Sequence, residues 1–137
     1  MRYRKASDAF TTHQLQLPDA QGAGDQPRCT ELCTLDDGFT YVAIPAGVTL
    51  PEQPEVISAS IETLDPLPAA LRDQIKAASS HVALINDRVR AAIAERYSLA
   101  DEIKLLRTAP SPEMTAYDAY AEECRAWGRG EKAKLGL

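Results

Sequence analysis

Histidine is scarce in this chain of 137 residues, with only His13 and His81, and cysteine stops at an odd three, Cys29, Cys33 and Cys124. An odd count suits free thiols in a reducing cytoplasm better than a disulfide framework. Cys29 and Cys33 are four positions apart, and on an extended strand their α-carbons would stand about 13 Å from each other, too far for a bridge. With two histidines to add, no metal site is expected, and the thiols read as small, partly buried side chains. No stretch approaches the roughly 18 apolar residues of a membrane span, and the basic start Met1-Arg2-Tyr3-Arg4-Lys5 is not followed by an apolar run. A soluble, unexported protein is expected, with no membrane partner. A formal charge of −5 offers no basic face for releasing counterions, so nucleic acid is not an expected partner either.

Catalytic signatures are missing in the same way. The pairs Asp36-Asp37, Asp101-Glu102 and Glu122-Glu123 are sequence neighbours, which point apart on a strand or a helix and cannot flank one bond. His81 falls near the middle of an expected helix, with only Ser79 and Ser80 as nucleophiles within a turn. Gly22-x-Gly24 lacks the strand, third glycine and helix of a dinucleotide loop. No catalytic, cofactor-binding or metal-binding residue is assigned, and no cofactor is expected.

A hydrophobic fraction of 45% and a charged fraction of 26% are those of a folded globular chain. The length suits one modest α+β unit with two lobes. The longest apolar periodicity runs from Asp65 to Tyr97. Asp65 reads as an N-cap, with Pro66 at the first helical position. Leu71, Ile75, Ala78, Val82, Ile85, Val89 and Ala92 then recur at steps of four and three. Ser79, Ser80 and His81 suggest a break, but the phase carries through them unshifted. One long helix of about 45–50 Å is therefore predicted. Its seam allows two readings. β-branched Ile75, Val82 and Val89 at one core position fit a self-associating coiled coil. Leu84 and Ile93 instead widen the face towards packing within the chain.

The β lobe is placed at 1–50. Cys29–Leu35 and Phe39–Pro45 read as a hairpin over 29–45, turning at Asp37-Gly38 with positive φ at both positions and Cys33 facing Val42. Thr12 to Leu17 is expected to add a third strand, since a lone hairpin is marginal in water. Residues 18–27 read as turn and loop. Residues 51–65, with Pro51 and Pro54, read as an extended linker, and 66–137 as the helical lobe. There, Ser98 and Asp101 form a capping box for a short helix carrying Leu99, Ile103 and Leu106 on one side. Ser111 and Pro112 start a C-terminal helix whose Met114, Tyr117, Tyr120, Ala121, Cys124 and Trp127 form a stripe about 140° wide. Gly128 and Gly130 are expected to weaken its end. Val82, Ile85 and Val89 on the seam, with Tyr117, Tyr120 and Trp127 on the stripe, are the candidate partner-binding residues.

Two stretches together carry a resemblance. One is Cys33-Thr34-Leu35-Asp36-Asp37-Gly38-Phe39-Thr40-Tyr41-Val42-Ala43-Ile44-Pro45, running into Leu50-Pro51-Glu52-Gln53-Pro54. The other runs from Ile93 through Arg96-Tyr97-Ser98 and Asp101-Glu102-Ile103 to Tyr117-x-x-Tyr120 and Arg125-Ala126-Trp127-Gly128-Arg129. Over about half the chain they resemble small proteins encoded in the tail-gene regions of tailed bacteriophages and prophages, tail or tail-fibre assembly proteins among them. The resemblance implies a non-enzymatic structural or assembly role and a tail or tail-fibre protein as partner. It also implies a place in the bacterial host cytoplasm or the virion tail, with a homo-oligomer in keeping with repeated subunits. It transfers no functional residue. A cytoplasmic interaction or regulatory adaptor unrelated to phage is the alternative.

Overall fold

The computed structural model describes residues 1–18 and 28–137, so the turn and loop expected over 18–27 lie, apart from Pro18, outside the described residues. The fold is α+β, with short antiparallel strands followed by helices. Strands β1 (Arg2–Tyr3), β4 (Thr30–Thr34) and β5 (Thr40–Ala43) form an antiparallel sheet in the order β1-β5-β4, while β2 (Ala6–Ser7) and β3 (Thr12–His13) pair separately. The helices are α1 (Glu55–Ser58), α2 (Ala69–Ala78), α3 (Ser80–Arg96), α4 (Leu99–Thr108) and α5 (Pro112–Lys134). They belong to two compact units, one comprising Met1–Ser80 with Lys134–Leu137 and the other His81–Ala133.

In the first unit, β5 is the central strand, and its period-2 alternation serves two cores at once. Val42 joins Tyr3, Leu15 and Ile57 on one face, whereas Tyr41 joins Leu32 and Ile75 on the other. Tyr3 pairs with Thr40, so the third strand of this sheet comes from Arg2–Tyr3 and not from Thr12 to Leu17. Only Thr12–His13 of that expected strand is extended, in the separate pair with β2, although Leu15 still reaches the first core.

The hairpin forms with a different turn. Gly38 N–H donates to the Leu35 carbonyl and Leu35 N–H to the Phe39 carbonyl, both at 3.0 Å, leaving Asp36, Asp37 and Gly38 as a three-residue loop. Among the described residues only glycines have positive φ, Gly38 at 75°, so Asp37 keeps the ordinary sign. This is a type I turn closed by a left-handed glycine. Asp37 stabilises it by accepting from Phe39 N–H at 2.9 Å and from the Tyr41 hydroxyl at 2.6 Å. The longer loop and a bulge between Glu31 and Cys33 set the register, so Cys33 pairs with Tyr41 and not with Val42.

The expected linker over 51–65 is part of this unit. It contains α1, whose Ile57 is 0% exposed, and Glu62 bridges Arg2 through paired backbone hydrogen bonds of 2.9 Å. The single long helix is also corrected. It begins at Ala69 after Pro68, not at Asp65, and stops at Ser79, whose φ of −76° and ψ of 120° are extended. Serines compete with the helical backbone and favour helix ends. The apolar phase survives the break because each half has its own core: Ile75 packs against the sheet, and Val82 is buried in the second unit.

In the second unit the local signals hold. Ser98 and Asp101 make the capping box of α4, and Ser111 Oγ accepts from Met114 N–H at 3.1 Å as α5 begins at Pro112. The glycines do not end α5, which continues through Gly128 and Gly130 to Lys134.

Candidate partner-binding groove

Helices α3 and α5 pack antiparallel, because Asn86, Val89 and Ala92 meet Lys132, Gly128 and Tyr120 in reverse order. The helices approach closely at Gly128, where an added Cβ would lie 2.6 Å from Val89 Cγ2. The missing side chain lets the helices come together, which is why a glycine is tolerated inside α5. Further along, the Tyr120 hydroxyl donates to the Ala92 carbonyl at 3.1 Å.

Beside this contact lies an open groove of about 440 Å³ lined by Val89, Ala92, Tyr120, Cys124 and Trp127, together with the charged Arg88 and Glu123. Trp127 is 44% exposed, and Leu84 on α3 is 49% exposed. A large aromatic that is half open beside an apolar floor is the side-chain type that anchors protein interfaces.

The six sequence-predicted residues separate into two groups. Val89, Tyr120 and Trp127 come together in the groove. Val82 is buried at 3% exposure, and Ile85 is half-buried with its Cγ2 near Gly128, so both belong to the packing of α3. Tyr117 stacks edge-on against Tyr97, with ring centroids 5.1 Å apart. Val82 is thus buried, and Ile85 and Tyr117 are half-buried in contacts within the second unit.

The sequence reading missed Arg96, whose guanidinium lies 4.6 Å from the Tyr120 ring centroid and 5.5 Å from that of Tyr97. On α4, Leu99, Ile103 and Leu106 are exposed, Leu99 at 72%. The half-buried positions of α4 are Glu102 and Leu105. Phe10, 97% exposed, stands at the β2–β3 turn, where Asp8 Oδ1 accepts from the N–H groups of Phe10 and Thr11 at 2.7 Å. No periodic signal flags a residue in so short a hairpin.

The electrostatics do not activate these groups. Burial raises the Tyr120 phenol above its usual range, and the adjacent Cys124 thiol adds to the effect. Burial and then Glu102 raise Tyr117. Both stay neutral donors at neutral pH. Burial also pushes the Cys29 and Cys33 thiols up, and the charge of Asp37 reinforces it at Cys33. A raised thiol is a poorer nucleophile at neutral pH. All three cysteines are free. Among the described residues no group of three or more His, Cys, Asp or Glu side chains is placed to hold a metal ion. None of the described helices is long and apolar enough to cross a membrane.

No protein-family model, curated protein or solved structure matches this chain.

Proposed function

We propose that the chain is a non-enzymatic structural or assembly component of a phage-like tail, associated with the tail fibre or baseplate and acting through protein contacts in the host cytoplasm or the finished tail. The observation that carries the contact role is the α3–α5 groove, where half-open Trp127 lies among apolar side chains and one residue of each charge, Arg88 and Glu123. Such an arrangement suits a partner helix or strand that brings an apolar edge and complementary charges. The phage setting is supported by the resemblance of the Cys33–Pro54 and Ile93–Arg129 stretches.

Deleting the gene in its lysogen, inducing the prophage and imaging the particles tests this reading. The expected outcome is particles with missing or incomplete tails and a loss of infectivity, restored by the wild-type gene and poorly restored by Trp127→Ala. Normal tails and an unchanged titre from the deletion strain would overturn it.

A further inference from the structure

The Tyr41 face of the sheet forms an apolar trough in the first unit. Leu32, Tyr41 and Ile75 are its buried floor, and Leu64 and Leu67 pack against them. Leu135 and Leu137 also pack there, supplied by the Lys134–Leu137 segment that belongs to this unit, although residues 81–133 before it form the other. Gly136, with φ of 75°, turns the backbone between the two leucines, a conformation glycine adopts without steric cost. Both leucines are half-buried, and a cavity of about 170 Å³ remains beside them, lined in part by Ile75, Leu64 and Leu67. The trough is thus filled by a separate, short segment, and filled incompletely.

We propose that this trough is a docking site for a leucine-bearing chain segment, occupied in cis by Leu135 and Leu137 and open to the same segment of a second copy. The segment already fits, so exchange between copies replaces each contact with its equal. Only the entropy of association opposes it, and a high local concentration offsets that term. Two half-buried leucines give weak binding for an isolated peptide, in the millimolar range, whereas a repeated array multiplies it. The proposal concerns the first unit alone and does not rest on the proposed tail function.

The test uses the full chain carrying Leu135→Asp and Leu137→Asp, with labelled methyl groups, titrated with a synthetic peptide of residues 131–137. The methyl resonances of Ile75, Leu64 and Leu67 should move saturably towards their wild-type positions. A peptide with both leucines replaced by aspartate should leave them in place. The wild-type chain, its trough filled, should need at least ten times more peptide for the same response. No movement, or equal movement with both peptides, overturns the docking site, and an equal response from the wild type overturns the cis occupancy. If the double variant loses its dispersed spectrum, Leu137→Ala is titrated in its place with the same expectations. For the second copy, sedimentation should show concentration-dependent association of the wild type that the double variant lacks. A wild type that stays monomeric into the millimolar range overturns the exchange.

Discussion

Two glycines in α5 show how the same residue acts in opposite ways. Gly130 has nothing within 4 Å of an added Cβ, so Gly130→Ala removes only the entropic cost of a helical glycine and should stabilise by about 0.5–1 kcal/mol. Gly128→Ala meets Val89 Cγ2 at 2.6 Å, and a β-branched valine has few other rotamers to retreat into. It should destabilise by about 1–3 kcal/mol, despite the better helix propensity. Thermal melts of the two variants should therefore shift in opposite directions. A parallel rise would mean that α3 and α5 do not cross at this point. Asp37 makes a prediction in pH. The Tyr41 hydroxyl first, and then Phe39 N–H, hold its carboxyl below the usual aspartate range. The folded state then binds this proton less tightly than the unfolded one. Its contribution is fully present above the unfolded value, about pH 4, and is lost as pH falls through the lowered folded value. Asp37→Asn should narrow towards wild type in urea melts as pH falls below about 4. Asp8 and Asp101, held low by N–H and hydroxyl donors, keep part of the acid limb in both proteins.

At the level of elements, what the sequence makes legible is what is encoded locally. The Ser98–Asp101 box needs four residues and no tertiary partner, and it is found where expected. The hairpin is equally visible from Asp37-Gly38, yet its register is not, because the bulge at Glu31 and Cys33 is fixed by which core each side chain of β4 reaches. Strand β1 is two residues long, too short to show alternation, and it is a strand only because β5 lies beside it. The break at Ser79 is hidden for a different reason. Ile75 and Val82 keep one helical phase while serving different cores, so periodicity alone joins α2 to α3. Val82 on the seam, and Val89, Tyr120 and Trp127 in the groove, are legible as apolar positions, but the crossing at Gly128 is not, since it depends on how two helices meet. Ile75→Ala, at 1% exposure, should cost about 2–5 kcal/mol and weaken hydrogen-exchange protection in β4, β5 and α2. Ser79→Ala should be neutral or stabilising, because its buried hydroxyl has no hydrogen-bond partner among the described residues. A marked loss of stability from Ser79→Ala would show that the hydroxyl caps α3 in solution.

For the whole molecule, the useful distinction is between residues that hold a unit together and residues that face outward from it. Val82 lies on the seam that the sequence offers for self-association. At 3% exposure, however, Val82→Glu places a charge in the second unit's interior and should unfold that unit, whatever its partners. Trp127 is half open, so Trp127→Ala should leave far-ultraviolet circular dichroism unchanged and, if the proposed tail role holds, reduce incorporation into tails. The two candidate surfaces belong to different units and predict different losses. Trp127→Ala should lower partner binding without altering self-association. The Leu135→Asp/Leu137→Asp chain should lose self-association without altering partner binding. Measuring both properties on both variants, by sedimentation and by recovery of the chain in purified particles, separates them. If Trp127→Ala enters particles as well as wild type while remaining folded, the groove is not the contact. The exposed stripe of Leu99, Ile103 and Leu106 on α4 is then the next face to substitute, since it has the largest remaining run of exposed apolar side chains on the described helices of the second unit.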